Sequence, residues 1–170
     1  RIHDLAWAAG DSQAKGFLIG ATSGRTTLNG EGLQHQDGHS HLFSATIPNC
    51  LSYDPAYAYE LAVIFQHGIQ KMFVDLENYY YYITVTNENY EQPAKPKGAD
   101  EGIIKGMYRL IENKEHQVIL IGSGSILNES VKAIEILSSV GITAEVWSVT
   151  SFNMLRKDGI DKQRFNELNP

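Results

Sequence analysis

The sequence has a single cysteine, Cys50, so no disulfide can form within it and a reducing cytoplasm is the expected setting. It lacks any block of like charges: 14 Lys and Arg and 20 Asp and Glu are dispersed, for a net charge of −6. Nucleic acid is therefore not an expected partner, because phosphate binding needs clustered Lys and Arg. No apolar run approaches the roughly 18 residues of a membrane helix, and no signal-peptide pattern opens the residues given, so a membrane is not expected either. What is present is ordinary for a globular chain: 42% hydrophobic and 20% charged residues argue against disorder. A length of 170 residues sets a prior of one domain, or one plus part of another.

The opening RIHDLAWAAG carries Ile2, Leu5, Ala6 and Ala9 at helical spacing, with Gly10 placed as a stop. A helix with no initiator Met or lead-in, and an end at Asn169-Pro170 without a stop signal, set the expectation of an internal segment of something longer. Residues 17–22 fit a short strand or a helix end, and periodicity does not decide between them. The rest of the Gly-, Thr-, Ser- and His-rich stretch to Ser40 reads as a long loop, a length that is usually functional or disordered.

Residues 46–55 (TIPNCLSYDP) read as a short buried strand, with Asp54 as helix N-cap and Pro55 at the first helical position. The helix that follows, PAYAYELAVIFQHGIQKMF, is apolar nearly all round and predicts burial on several sides or an interface. NYYYYITVTN (78–87) has the β-branched and aromatic signature of a central strand. Four tyrosines in a row place two on each face, so neither face is fully wet. NENYEQPAKPKGADEG reads as a linker. Beyond it, VILIG (118–122) predicts a buried strand. An amphipathic helix follows, with Leu127, Val131, Ile134 and Leu137 inward, and ITAEVWSV predicts a second strand: a βαβ unit with a parallel pair. The fold class is α/β, with mostly parallel sheets flanked by helices. The back half of one domain and the front of another are expected.

The chemistry-bearing stretch is LQHQDGHSH (33–41), with His35, His39, His41 and Asp37 within seven residues. Three readings stand: a metal site, a solvated loop, or a non-metal active site where imidazoles orient or protonate a small anion near neutral pH. The spacing matches no zinc signature, and no cysteine or second carboxylate–histidine cluster supports a metal. GSGSIL (122–127) sits at a strand–helix turn, but Leu127 stands where a dinucleotide fingerprint needs a third glycine, so the glycines read as easing a tight turn. His67 and Gly68 read as packing, His3 and His116 are isolated, and Cys50 has no paired histidine nearby.

The run GRTTLNGEGLQHQDGHSH, then IPNC and SYDPAYAYELAVI, and onward YYYYITVTNENY, EGIIKGMY, LIGSGSIL and VTSF, resembles the homodimeric bacterial pyruvate dehydrogenases across essentially the whole chain. These are thiamine-diphosphate-dependent decarboxylating enzymes of the transketolase-like superfamily. Asp37-Gly38-His39-Ser40-His41 is similar to that superfamily's Asp-Gly-x-Thr-His loop, with Ser for Thr, and points to His41 as the active-site histidine.

The resemblance implies a transketolase-like fold, incomplete in this sequence. Residues 1–89 would be the rear of the middle, pyrimidine-binding domain, 90–116 a linker and connecting helix, and 117–170 the start of the C-terminal domain. It implies pyruvate as substrate, thiamine diphosphate and magnesium as cofactors, a homodimer, and the lipoyl domain of the dihydrolipoyl acetyltransferase as partner. His41 and then His35 are the expected catalytic residues. Glu31, Gln34, Asp37 and His39 are weaker candidates in the same loop, and Gly30, Gly32 and Gly38 would let the backbone turn beneath them.

The family's Gly-Asp-Gly…Asn motif, which carries magnesium and diphosphate, does not occur here, and no residue matches the glutamate that activates the aminopyrimidine. The segment alone is therefore expected to be inactive. The alternatives are another thiamine-diphosphate enzyme (a different 2-oxoacid dehydrogenase or a transketolase), a non-catalytic dimerisation segment, or a zinc hydrolase built on the histidine loop.

Overall fold

A computed structural model describes residues 2–21, 37–86 and 88–169. In chain order its elements are α1 (Ile2–Asp11), β1 (Phe17–Gly20), α2 (Ser40–Ser44), β2 (Cys50–Tyr53), α3 (Ala58–Ile69), β3 (Tyr80–Thr84), α4 (Asp100–Lys105), β4 (Met107–Ile111), β5 (Val118–Gly122), α5 (Leu127–Ser139), β6 (Ala144–Val149) and α6 (Phe152–Leu168). A π-helical turn, Gln70–Val74, extends α3.

The tyrosine run forms the centre of the first sheet, whose order is β1-β3-β2 with both pairings parallel. Side chains alternate across a strand. Tyr81 and Ile83 therefore enter the core with Leu51, Tyr53, Ile64 and Met72, while Tyr80 packs on the opposite face with Ile47 and Cys50. Each such fully buried side chain contributes about 1.5–3 kcal/mol. The second sheet has the order β4-β6-β5, with β6 parallel to β5 and antiparallel to β4. The expected βαβ unit is present: Leu127 of α5 is fully buried, and Val131 and Ile134 pack beside it.

Four expectations are corrected. α1 runs through Gly10 to Asp11, and Gln13, in the left-handed region at φ 57°, turns the chain. Gly10 is instead a point of close approach, where an added Cβ would lie 2.7 Å from Asn49 Oδ1. The strand VILIG is not buried, since only one of its faces is covered: Leu120 packs against the cluster around Leu127, while Ile119 and Ile121 on the other face are 51% and 52% exposed. The connecting stretch holds a strand, β4, as well as the expected helix. Finally, α3 begins at Ala58, three residues beyond Pro55, and Asp54 does not cap it.

Glu60 caps α3 instead. Its Oε2 accepts the N–H groups of Ala56 (2.5 Å) and Tyr57 (3.0 Å). Its Oε1 accepts the hydroxyls of Tyr108 on β4 and Ser148 on β6, both at 2.6 Å. A fully buried carboxylate with four donors is satisfied, and it ties α3 to the second sheet. Removing it strands four donors, whereas removing one donor leaves three. Glu60→Ala is expected to lower stability by about 3–5 kcal/mol in urea unfolding, and Tyr108→Phe by only about 1–2 kcal/mol.

Candidate active site

Ligands in parallel α/β sheets bind outside the carboxyl ends of the strands. Three polar residues converge there. Asp54 follows β2, Thr84 ends β3, and Ser123 follows β5. Thr84 Oγ1 lies 2.6 Å from Asp54 Oδ1, and the Ser123 hydroxyl donates to Asp54 Oδ2 at 3.0 Å. The Asp54 N–H donates to the Thr150 carbonyl at 2.7 Å, and the Ser151 hydroxyl to the Ser52 carbonyl at 2.6 Å, so the ends of β2 and β6 are stitched together.

α2 delivers His41 to this junction. His41 Nε2 lies 2.9 Å from Thr84 Oγ1, and its ring meets Tyr82 edge-on at 5.3 Å. Its carbonyl accepts the Asn153 side-chain amide of α6 at 2.8 Å, and the same amide reaches Ser52 Oγ at 2.5 Å. His41, Asp54, Ser123, Ser151, Phe152 and Asn153 line a cavity of about 70 Å³.

Asp37 holds the start of α2. Its Oδ1 accepts the N–H groups of Ser40 (3.1 Å) and His39 (3.3 Å), and its Oδ2 accepts the Ser40 hydroxyl. Burial by itself raises the Asp37 carboxyl, but these hydrogen bonds and the nearby His41 outweigh it and hold the carboxyl below its ordinary value.

Of the residues singled out in the sequence, the structure brings His41 into the junction and sets Asp37 beneath it as a cap. The His39 side chain is exposed. His35, Gln34, Glu31, Gly30 and Gly32 lie outside the described residues. Asp54, Thr84, Ser123 and Asn153 were missed as site residues, although their positions just past or at strand ends were a usable signal.

Among the described residues, no group of three or more His, Cys, Asp or Glu side chains stands where it could hold a metal ion. The site's carboxylates, Asp37 and Asp54, already accept protein hydroxyl and N–H donors. These residues do not fit a magnesium–diphosphate site.

Residues 1–93 match the pyruvate dehydrogenase E1 component middle domain, and residues 106–167 the transketolase-like C-terminal domain. The chain belongs to the pyruvate dehydrogenase E1 component family. It is 63% identical to the pyruvate dehydrogenase E1 component of Pseudomonas aeruginosa, 62% to that of Escherichia coli K12 and 51% to that of Cupriavidus necator. Each match covers 100% of this chain and 20% of the relative, so the chain spans about a fifth of their length.

Among solved structures, the transketolase of Campylobacter jejuni superposes with a TM-score of 0.76 at 21% identity, covering 91% of this chain and 23% of that one. A transketolase variant from Pichia stipitis gives 0.69 at 20% identity, covering 88% and 22%. At that identity the likeness shows the fold alone, which is the expected α/β, transketolase-like one. No helix among the described residues is long and apolar enough to cross a membrane.

The depressed Asp37 carboxyl fixes the sign of its pH dependence. Its support of α2 is complete above the ordinary value of 3.8 and is lost as pH falls through the lower folded value. At pH 7, Asp37→Ala is expected to speed hydrogen exchange of the Ser40 amide about fivefold, as loss of a cap of about 1 kcal/mol requires. The difference from the unsubstituted chain should shrink on acidification below 3.8.

Proposed function

We propose that these residues are part of a pyruvate dehydrogenase E1 component that oxidatively decarboxylates pyruvate and passes the acetyl group to a lipoyl group. The observation that carries this reading is 51–63% identity to pyruvate dehydrogenase E1 components over the whole chain. The geometry supports it, because the histidine best placed to act lies at the carboxyl ends of the strands, against Thr84.

On this reading residues 1–89 form the rear of the middle domain, 90–116 the linker and connecting helix, and 117–170 the start of the C-terminal domain. Thiamine diphosphate, when bound, supplies the carbanion chemistry. Its magnesium and diphosphate would be held by other parts of the enzyme, since the described residues of this chain do not fit them. The working enzyme is a cytoplasmic homodimer, and its partner is the lipoyl domain of the acetyltransferase subunit.

What this chain contributes is on the substrate side. Pyruvate is an anion, and its ketone oxygen gains further negative charge as the carbonyl carbon becomes tetrahedral. A positioned imidazole donates a hydrogen bond to that oxygen or moves a proton to it, and preorganised donors are usually the largest catalytic contribution. His41 takes this role, His35 is next, and Glu31, Gln34 and His39 support the loop.

His41→Ala in the full-length enzyme is expected to lower kcat by about 100-fold or more while sedimentation still shows the dimer. Turnover within about twofold of the unsubstituted enzyme would contradict the assignment.

A further inference from the structure

We infer that Asp54 is a positioning residue that acts on His41 through the Thr84 hydroxyl, fixing the imidazole with its proton on Nε2. The inference deepens the reading above and rests on His41 taking part in the reaction.

A threonine hydroxyl has one proton and two lone pairs. Among the described residues, Thr84 Oγ1 has three acceptors or donors near it: Asp54 Oδ1 at 2.6 Å, the Tyr53 carbonyl at 3.4 Å and His41 Nε2 at 2.9 Å. The carboxylate is both the shortest contact and the only charged acceptor, and charge-assisted hydrogen bonds are the shorter and stronger ones. The Thr84 proton therefore points at Asp54. That leaves Thr84 with only lone pairs to offer the ring, so Nε2 must carry the hydrogen in their 2.9 Å contact. It follows that the proton His41 gains and loses is the one on Nδ1.

The carboxylate has little freedom to turn away from this task. Ser123 donates to its other oxygen, and the Gly124 N–H donates to the Asp54 carbonyl at 3.2 Å. Gly124 sits at φ +53°, and a Cβ there would lie 3.0 Å from both carboxylate oxygens. The GSGS turn of the second sheet is thus shaped around Asp54. This gives a reason for its second glycine beyond the tight turn read from sequence.

The arrangement parallels the way an aspartate sets the tautomer of a catalytic histidine in hydrolases, with a hydroxyl interposed. An asparagine at position 54 can present its amide to Thr84. The hydroxyl is then turned toward His41, and the ring is driven to the opposite tautomer.

Among the described residues, these groups face His41 and bear on its titration. Asp37 lies in the turn before α2, Tyr82 comes from β3, and Asp54 from the end of β2; Ser123, Phe152 and Asn153 are uncharged. Loss of the Asp54 charge should move the alkaline limb of the kcat profile, where the proton-donating imidazolium is lost, to lower pH, because an imidazolium loses a nearby anion.

The test uses the full-length holoenzyme and pyruvate, with Asp54→Asn, Thr84→Val, the Asp54→Asn/Thr84→Val pair, Thr84→Ser and His41→Ala. Asp54→Asn and Thr84→Val are each expected to lower kcat about 10- to 100-fold with KM changed less than about threefold. The pair should be no worse than the more damaged single variant, because both cut one chain of contacts. Thr84→Ser should recover most of the turnover lost in Thr84→Val, and Asp54→Asn should show the alkaline limb moved to lower pH.

If Asp54→Asn does not fold, Thr84→Val and its serine rescue carry the test alone. A severe His41→Ala defect beside near-normal Asp54→Asn or Thr84→Val kinetics would overturn the relay and leave the functional reading standing. Multiplicative losses in the pair, with no rescue by serine, would likewise overturn it. Near-normal turnover in His41→Ala would overturn both.

Discussion

The carboxylate of Asp54 joins the strand ends that meet at the candidate site. It sits where the first sheet ends and the second begins, and it accepts a hydroxyl from each: Thr84 from β3 and Ser123 from the turn after β5. A carboxylate in a partly buried position is costly unless hydrogen-bonded, and these two donors satisfy it while drawing the strand ends together. His41 reaches this junction from a third direction, on a short helix capped by Asp37 and clamped at its carbonyl by Asn153. Five separate stretches of chain thus meet within one hydrogen-bonded group.

Glu60 plays the complementary role deeper in the fold. It caps α3 and takes the hydroxyls of Tyr108 and Ser148, so the second sheet is fastened to the first at a second point, in the core. Tyr59, Tyr108 and Glu60 lie in one connected set of short contacts, with the two tyrosine hydroxyls 2.6 Å apart. Between them the two carboxylates fix how the sheets meet. The cavity beside His41 lies at that meeting, with walls from both. The two family matches, over residues 1–93 and 106–167, fall on the two sheets separately.

Much of this was legible in the residues. The tyrosine run marked β3 because aromatic and β-branched residues suit a pleated, two-sided strand, and the 3.6-residue stripe of α5 placed Leu127 inward. The histidine loop drew attention through density alone, and the resemblance singled out His41. Asp54 was misread because Asp-Pro before an apolar run is a sound local N-cap signal. Its partners lie 30 and 69 residues away, so only tertiary structure could outbid the local one. β4 was missed because MYRLI is short and follows directly on Gly106, the left-handed residue that ends α4. The exposure of β5 was not legible either, since an apolar run specifies a strand but not what covers its faces.

The central claim is that the protein fixes one tautomer of His41 through Thr84 and Asp54. Nitrogen-15 NMR of histidine-labelled full-length enzyme, with His41→Gln used to assign the signal, reads that tautomer directly. In the unsubstituted enzyme the neutral form of the ring should carry its proton on Nε2, shifting toward Nδ1 in Asp54→Asn. A neutral form with its proton on Nδ1 in the unsubstituted enzyme, or one indifferent to Asp54→Asn, would contradict the claim.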